Sequence, residues 1–152
     1  MDSRAQRNPD RAGVSIDLDT APIGATIAEW TYGPIRREDL RRYSEASGDS
    51  NPLHLDPEFA RQAGFPDVIV HGMFGMALLG RLIEDHIVKQ GLLRFRARFR
   101  KVIEVDQVIV CRARLATRVH RTAELSLEAL SPGDTVLIDA TATIELIAAR
   151  IQ

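Results

Sequence analysis

The sequence is poor in cysteine, lysine and long apolar runs, and each shortage excludes something. With Cys111 as its only cysteine, the chain cannot close an internal disulfide. That residue ends the run Val108-Ile109-Val110-Cys111, where a free thiol behaves as a small hydrophobe, so an inert core or sheet thiol is expected. Only Lys89 and Lys101 among the 20 basic residues are lysines. The rest are arginines, whose planar forks suit bidentate contact with phosphates. No run approaches the roughly 20 apolar residues of a membrane span. Residues 1–13, with Arg4, Arg7, Asn8, Pro9 and Asp10, have no apolar stretch, which argues against a signal peptide or anchor. A loose tail is expected there, and a soluble, cytoplasmic protein without a membrane partner. Neither charge dominates, the formal net charge being -1 with 27% charged residues; this argues against gross disorder and a globally basic nucleic-acid binder. There is no internal repeat and no low-complexity tract.

What is present suits one globular unit over residues 14–152, because 45% hydrophobic content in 152 residues builds one core but hardly two. Charge is unevenly spread along the chain. Residues 14–71 hold ten acids against five arginines, whereas residues 92–121 hold nine basic residues against two acids.

Alternation over residues 24–35 predicts a first strand closed by Gly33-Pro34. Arg37 to Tyr43 has helical spacing of Leu40, Tyr43 and Ala46, with acids early and Gly48 placed as a terminator. Residues 48–56, rich in Gly, Asp, Ser, Asn and Pro, predict an irregular loop, and a short helix resumes at Pro57 with Phe59 and Ala60. From His71-Gly72 the chain is apolar on almost every side until Glu84 and Asp85, ending near Gly91, which predicts a buried central helix. Its glycines Gly75 and Gly80 allow close approach of a sheet, each at about 1 kcal/mol of helix propensity. The remainder has period two. Arg94, Arg96, Arg98 and Arg100 oppose Phe95, Ala97 and Phe99; a long strand is expected over 105–119, another around 123–129, and a last one over 136–146 after the turn Ser131-Pro132-Gly133-Asp134. One helix against about five strands is an α+β layer arrangement.

Three features can carry chemistry. Asp49 and His54 form an acid/base pair within one short loop. Adding water across a conjugated double bond needs one group to take a proton from water and another to deliver one to the α-carbon, and histidine serves either duty near neutral pH. Equally consistent with the pattern alone are a capping Asp49 and a packed loop His54. Second, Val68-Ile69-Val70-His71-Gly72 leads into the helix, placing the N–H groups of Gly72 and Met73 where they can stabilise negative charge developing on a thioester oxygen. Gly72 also lets a substrate approach the backbone. His71 reads as a capping or packing histidine, and His86 and His120 as surface residues. Third, the arginine stripe, with Arg112, Arg114 and Arg118 on the next strand, suits either coenzyme A phosphates or an acidic carrier protein, or is simply a solvated sheet face.

The stretch Tyr43-Ser44-Glu45-Ala46-Ser47-Gly48-Asp49-Ser50-Asn51-Pro52-Leu53-His54, followed by Ala60 and then Ile69-Val70-His71-Gly72-Met73, resembles the hydratase motif of MaoC-like dehydratases, the (R)-specific enoyl-CoA hydratases of the hot-dog fold. The resemblance covers about residues 24–106. It implies a curved antiparallel sheet wrapped around one long helix, paired as a homodimer with sites near the subunit boundary. It also implies that Asp49 and His54 are the catalytic pair holding one water and that the Gly72 N–H receives the thioester carbonyl oxygen, with Asn51 shaping the loop and touching the pair, and Asn51 and Met73 binding the substrate. The pair would titrate as a coupled unit. No metal and no cofactor is implied beyond the coenzyme A or carrier-protein pantetheine of the substrate. Ala46, where a larger apolar residue or Gly is more usual, and Gly80, where some relatives carry Ser, depart from the pattern near the acyl group.

The leading expectation is therefore hydration of a trans-2-enoyl thioester to the (R)-3-hydroxyacyl thioester, or the reverse dehydration. A carrier-protein dehydratase of fatty-acid or polyketide synthesis is the nearest rival, and a non-catalytic acyl-thioester-binding subunit comes from another class. A thioesterase fits less well, because the acids of the long helix, Glu84 and Asp85, come late. Nucleic-acid binding is weakest, since Phe95 and Phe99 alternate away from the arginines and cannot form a stacking platform with them.

Overall fold

The computed structural model describes residues 17–87 and 91–146, apart from the side chains of His86 and Ile87. The tail expected over residues 1–13 and Lys89 lie outside the described residues. The first strand, β1, runs Thr26–Tyr32. Gly33 closes it at φ 116°, and a Cβ there would sit 2.8 Å from the Gln107 carbonyl oxygen, so only glycine fits this crossing. Helix α1 spans Arg37–Ser47. Its first turn is closed by Asp39, whose carboxylate accepts the Arg36 N–H at 2.7 Å, and it ends at Gly48 in the left-handed conformation, φ 79°. A single 3₁₀ turn follows at Pro52–His54, then α2 at Pro57–Gln62 and the long α3 at Gly72–Ile87.

The remaining strands are β2 at Gly91–Phe99, β3 at Ile109–Val119, β4 at Thr122–Leu130 and β5 at Val136–Glu145. Together with β1 they form one antiparallel sheet in the order β1-β3-β4-β5-β2. The strand expected over 105–119 begins only at Ile109. Asp106 adopts φ 65°, and residues 106–107 turn to exchange backbone bonds with Ile35; an αL residue cannot continue an extended run.

Register explains the core. Cys111, Ala129 and Ile138 are cross-strand neighbours, as are Ala113, Leu127 and Ala140, then Leu115, Leu125 and Ala142, and all nine are buried. Against this face lie Gly75, Leu78, Leu79, Leu82 and Ile83 of α3. Gly75 is the point of closest approach: a Cβ there would meet Ile138 Cδ1 at 2.6 Å and Ile103 Cδ1 at 2.7 Å.

The expectation that α3 is buried all round needs correction. Met73, Ala77, Arg81 and Glu84 are exposed in the single chain, and their spacing makes one open stripe. It lies beside the edge strand β2, whose Leu92, Leu93 and Phe99 are also exposed. Among the described residues no helix is long and apolar enough to cross a membrane.

Candidate active site

The loop from α1 to α2 is built by side chains that bond the backbone two residues on. Ser47 Oγ accepts the Asp49 N–H at 3.2 Å, Asp49 Oδ1 accepts the Asn51 N–H at 3.2 Å, and Asn51 Oδ1 accepts the Leu53 N–H at 3.0 Å. Short polar side chains at alternate positions thus substitute for a regular ladder and hold the irregular backbone. Asp56 then caps α2 through the Glu58 and Phe59 N–H groups.

The lead-in to α3 is clamped between this loop and the sheet side. The Ile69 N–H bonds the Leu53 carbonyl at 3.1 Å, and the Val70 N–H bonds the Ile103 carbonyl at 2.9 Å. The Ile69 carbonyl in turn lies 2.7 Å from His54 Nδ1. A carbonyl only accepts, so Nδ1 carries the hydrogen and the neutral His54 ring offers its lone pair at Nε2.

The same reasoning fixes a second ring. His71, 1% exposed, has Nε2 3.2 Å from the Asp49 carbonyl oxygen, so Nε2–H donates and Nδ1 is left as a buried acceptor without a partner among the described residues. The His71 ring stacks on His54 with centroids 3.9 Å apart and 29° between planes, and its other neighbour is Tyr43 at 4.9 Å. Two charged rings this close would repel by about 4 kcal/mol at an effective dielectric of ~20. Burial, followed by the charge His54 would carry, holds His71 below the ordinary histidine range, against an upward pull from its Asp49 contact. Burial and the Asp49 carboxylate push the Tyr43 phenol above its usual range, so it stays a neutral hydroxyl. Asp49, His54 and His71 offer ligand atoms within 4.8 Å of one another.

The helix start completes the arrangement. The His71 carbonyl accepts from Phe74 and Gly75 N–H at 3.0 and 3.3 Å, while Gly72 and Met73, as first-turn residues, have N–H groups the helix does not use. His54 and Gly72 line one pocket of ≈ 320 Å³ together with Phe99, Val102, Ile103 and Ile138, and Arg100 and Lys101 border it. The His54 ring and the first residue of α3 thus line one cavity, and a histidine and a helix start placed together suit proton movement beside a developing negative charge.

The MaoC-like domain family matches residues 19–129. The chain belongs to that family. The fold is the hot-dog fold, similar to that of the R-hydratase PhaJ1 from Pseudomonas aeruginosa, with a TM-score of 0.79 at 22% identity over 88% of this chain and 86% of that one. The 3-hydroxyacyl-thioester dehydratase X of Mycobacterium tuberculosis is 41% identical over 64 residues, 42% of this chain and 22% of that protein. The mitochondrial 3-hydroxyacyl-acyl-carrier-protein dehydratase of Arabidopsis thaliana is 51% identical over 49 residues, 32% of this chain and 30% of its own length. The matched stretch spans less than a third of either relative.

Within this MaoC-like domain the expected site residues separate. His54 and Gly72 line one pocket; Asp49 is not in its lining but offers a carboxylate oxygen within 4.8 Å of a ring nitrogen of His54. The side-chain oxygen of Asn51 is occupied by the turn, which leaves it shaping the loop. Met73 is 54% exposed on the open stripe of α3, and only its backbone reaches the helix start. His71, expected as a capping or packing histidine, is buried and packed between Tyr43 and His54, and it also donates to the Asp49 carbonyl. A signal existed: a histidine closing the apolar run Val68-Ile69-Val70 is forced into the interior, where an imidazole needs a partner. The arginine stripe does not assemble. β3 follows β2 in the chain but is separated from it in the sheet by β4 and β5. Arg112 pairs with Glu29 at 2.6 Å, Arg114 with Glu128 at 3.7 Å and Arg100 with Asp139, while Arg118 donates to the Leu18 and Ala21 carbonyls.

Proposed function

We propose that this MaoC-like domain adds water to trans-2-enoyl thioesters to give (R)-3-hydroxyacyl thioesters and catalyses the reverse dehydration. One observation carries the reading: His54, whose Nδ1 is held by the Ile69 carbonyl, and Gly72, the first residue of α3, line the same pocket. The Asp49–His54 pair takes a proton from water as its oxygen bonds C3; the electron pair of the double bond moves toward the thioester oxygen, where the Gly72 N–H stabilises it. A proton returned from the pair to C2 closes the balance, with no redox partner and no group beyond water and thioester consumed. The (R) hand is supported by the R-hydratase of similar fold, and the thioester class by the dehydratases named above. Coenzyme A is the favoured carrier, with a carrier protein as the rival.

A homodimer belongs to the same reading. β2 is an edge strand with Leu93 57% and Phe99 51% exposed, next to the open stripe of α3. An unpaired apolar edge is a pairing surface, and Phe99 also borders the pocket, so a second copy placed there would enclose the site.

The purified protein is tested with short, medium and aromatic trans-2-enoyl-CoA thioesters, following loss of the conjugated chromophore and the configuration of the product, and with the same acyl groups on a carrier protein. Saturable hydration to the (R) product is expected. Release of free thiol without loss of conjugation, or no turnover on either carrier, overturns the reading.

A further inference from the structure

We infer that His71 is a positioning residue that couples the two halves of the site, setting the Asp49–His54 pair against the Gly72 N–H. The inference rests on the hydration reading for its kinetic consequence, but its structural content stands apart from it. Three bonds and contacts meet in this one residue. Its Nε2–H holds the Asp49 carbonyl at 3.2 Å, its ring backs the ring of His54 at 3.9 Å, and its carbonyl caps the first turn of α3 through Phe74 and Gly75, immediately before Gly72. Asp49 and Gly72 lie on different elements, and this side chain fixes the distance between them.

Space filling does not account for the choice of residue. His71 leaves Nδ1 buried without a partner among the described residues, an uncompensated desolvation that a phenylalanine of similar shape would avoid. The groups facing the ring are Tyr43 from α1 and Asp49 and His54 from the loop. Tyr43 stays a neutral phenol, and burial together with His54 keeps the His71 ring neutral. A neutral ring at this place leaves any positive charge formed during proton transfer on His54, which lines the pocket, instead of sharing it with a buried ring that does not.

Two variants separate the donor from the ring. His71→Gln puts an amide N–H where Nε2–H is and loses the ring; His71→Phe keeps the ring and loses the donor. Because misplacement by about 1 Å can cost ~100-fold in rate, His71→Phe is expected to lower kcat by roughly 30- to 100-fold with KM within about threefold. His71→Gln should recover to within about tenfold of wild type. Thermal melts report the folded fraction, and a loss of kcat that merely follows that fraction, or full kcat in His71→Phe, overturns the proposal. A second measurement needs no activity. In long-range ¹H–¹⁵N spectra of histidine-labelled wild type, His71 should be the neutral Nε2–H tautomer at pH 8 and protonate only at a pH below that of free imidazole; an Nδ1–H tautomer, or protonation in step with free imidazole, overturns it. A wild type inactive on enoyl thioesters would sink the hydration reading, while the tautomer of His71 would still decide whether it holds the Asp49 carbonyl.

Discussion

Around His71, an exposed aspartate, a half-buried histidine and a tyrosine from two segments of chain converge on one buried ring. On the outer face of the sheet, the charged residues instead form a row in which Arg112 and Arg98 each have an acid as cross-strand neighbour. Glu29 of β1, Arg112 of β3, Glu128 of β4, Asp139 of β5 and Arg98 of β2 are successive cross-strand neighbours. Both regions are chemically promising as sequence, one for its motif and one for its density of arginine. The difference is in what the fold does with them. Among the described residues, the loop and helix start bring unlike groups together with hydrogen-bonding capacity left over, at His54 Nε2 and at the Gly72 N–H, whereas the sheet sets Arg98 and Arg112 each beside an acid and three strands, roughly 14 Å, apart. Unspent polar capacity facing a cavity marks a site more reliably than charge density does.

The comparison breaks most sharply if the converging cluster is dispensable. Asp49→Asn keeps the oxygen that accepts the Asn51 N–H and removes the carboxylate's proton affinity; His54→Ala removes the ring. Each is expected to lower kcat for hydration by about 10³-fold, within the range general acid–base catalysis supplies, while the melting temperature of Asp49→Asn stays within a few degrees of wild type. Activity near wild type in either variant would reduce the loop to a structural turn.

A second effect concerns how firmly the site is backed by the sheet. At Gly75, Ile103 and Ile138 stand where a Cβ would go; both are buried and both line the pocket. Gly75→Ala is expected to destabilise by about 1–2 kcal/mol, since overpacking outweighs the gain in helix propensity, and to raise KM by moving the pocket wall. Gly80→Ala on the same helix is the control: its Cβ would meet only Phe95 Cε1, at 3.6 Å, so the propensity gain survives and stability rises by up to about 1 kcal/mol. Denaturant melts of both variants are the measurement, and equal shifts would contradict this packing.

Much of the molecule is legible without coordinates, and the exceptions have physical causes. Alternation identifies which side chains share a strand face, so the apolar set Cys111, Leu127 and Ile138 can be read from the chain. It does not say which strands are neighbours, and the displacement of β2 to the far edge from β1 is what separates Arg98 from Arg112. The turn residues Gly48 and Asn51 betray the loop because their conformational and capping preferences are local. The Ile69 carbonyl, which sets the tautomer of His54, has no signature, since any residue supplies a carbonyl. The apolar run before His71 signals its burial, but its partners His54 and Asp49 stand 17 and 22 positions away in the chain and have no local signature. The open stripe of α3 reads as buried because composition reports a wish for burial and not which molecule provides it.

The smallest expected effect tests the other side of the comparison. Arg112 makes the best-formed pair of the outer row, 2.6 Å from Glu29, with its side chain 22% exposed, and the hydrogen bond that its Nε donates to Glu29 raises its pKa above the ordinary arginine range. If the row is a solvated surface device, truncation should cost only what a partly exposed pair contributes, about 0–1 kcal/mol, or a fall of at most about 4 °C in melting temperature for a chain of this size. The loss should shrink as salt rises from 50 mM to 1 M, because screening weakens an exposed pair much more than a buried one. Arg112→Ala should leave kcat and KM for an enoyl-CoA unchanged within about twofold, the expected result for a side chain whose charge is already spent on Glu29 and Asp134. A KM raised tenfold or more, and more so at low salt, would return this arginine to substrate phosphate binding and would show that an acid neighbour does not disqualify a cation from the site.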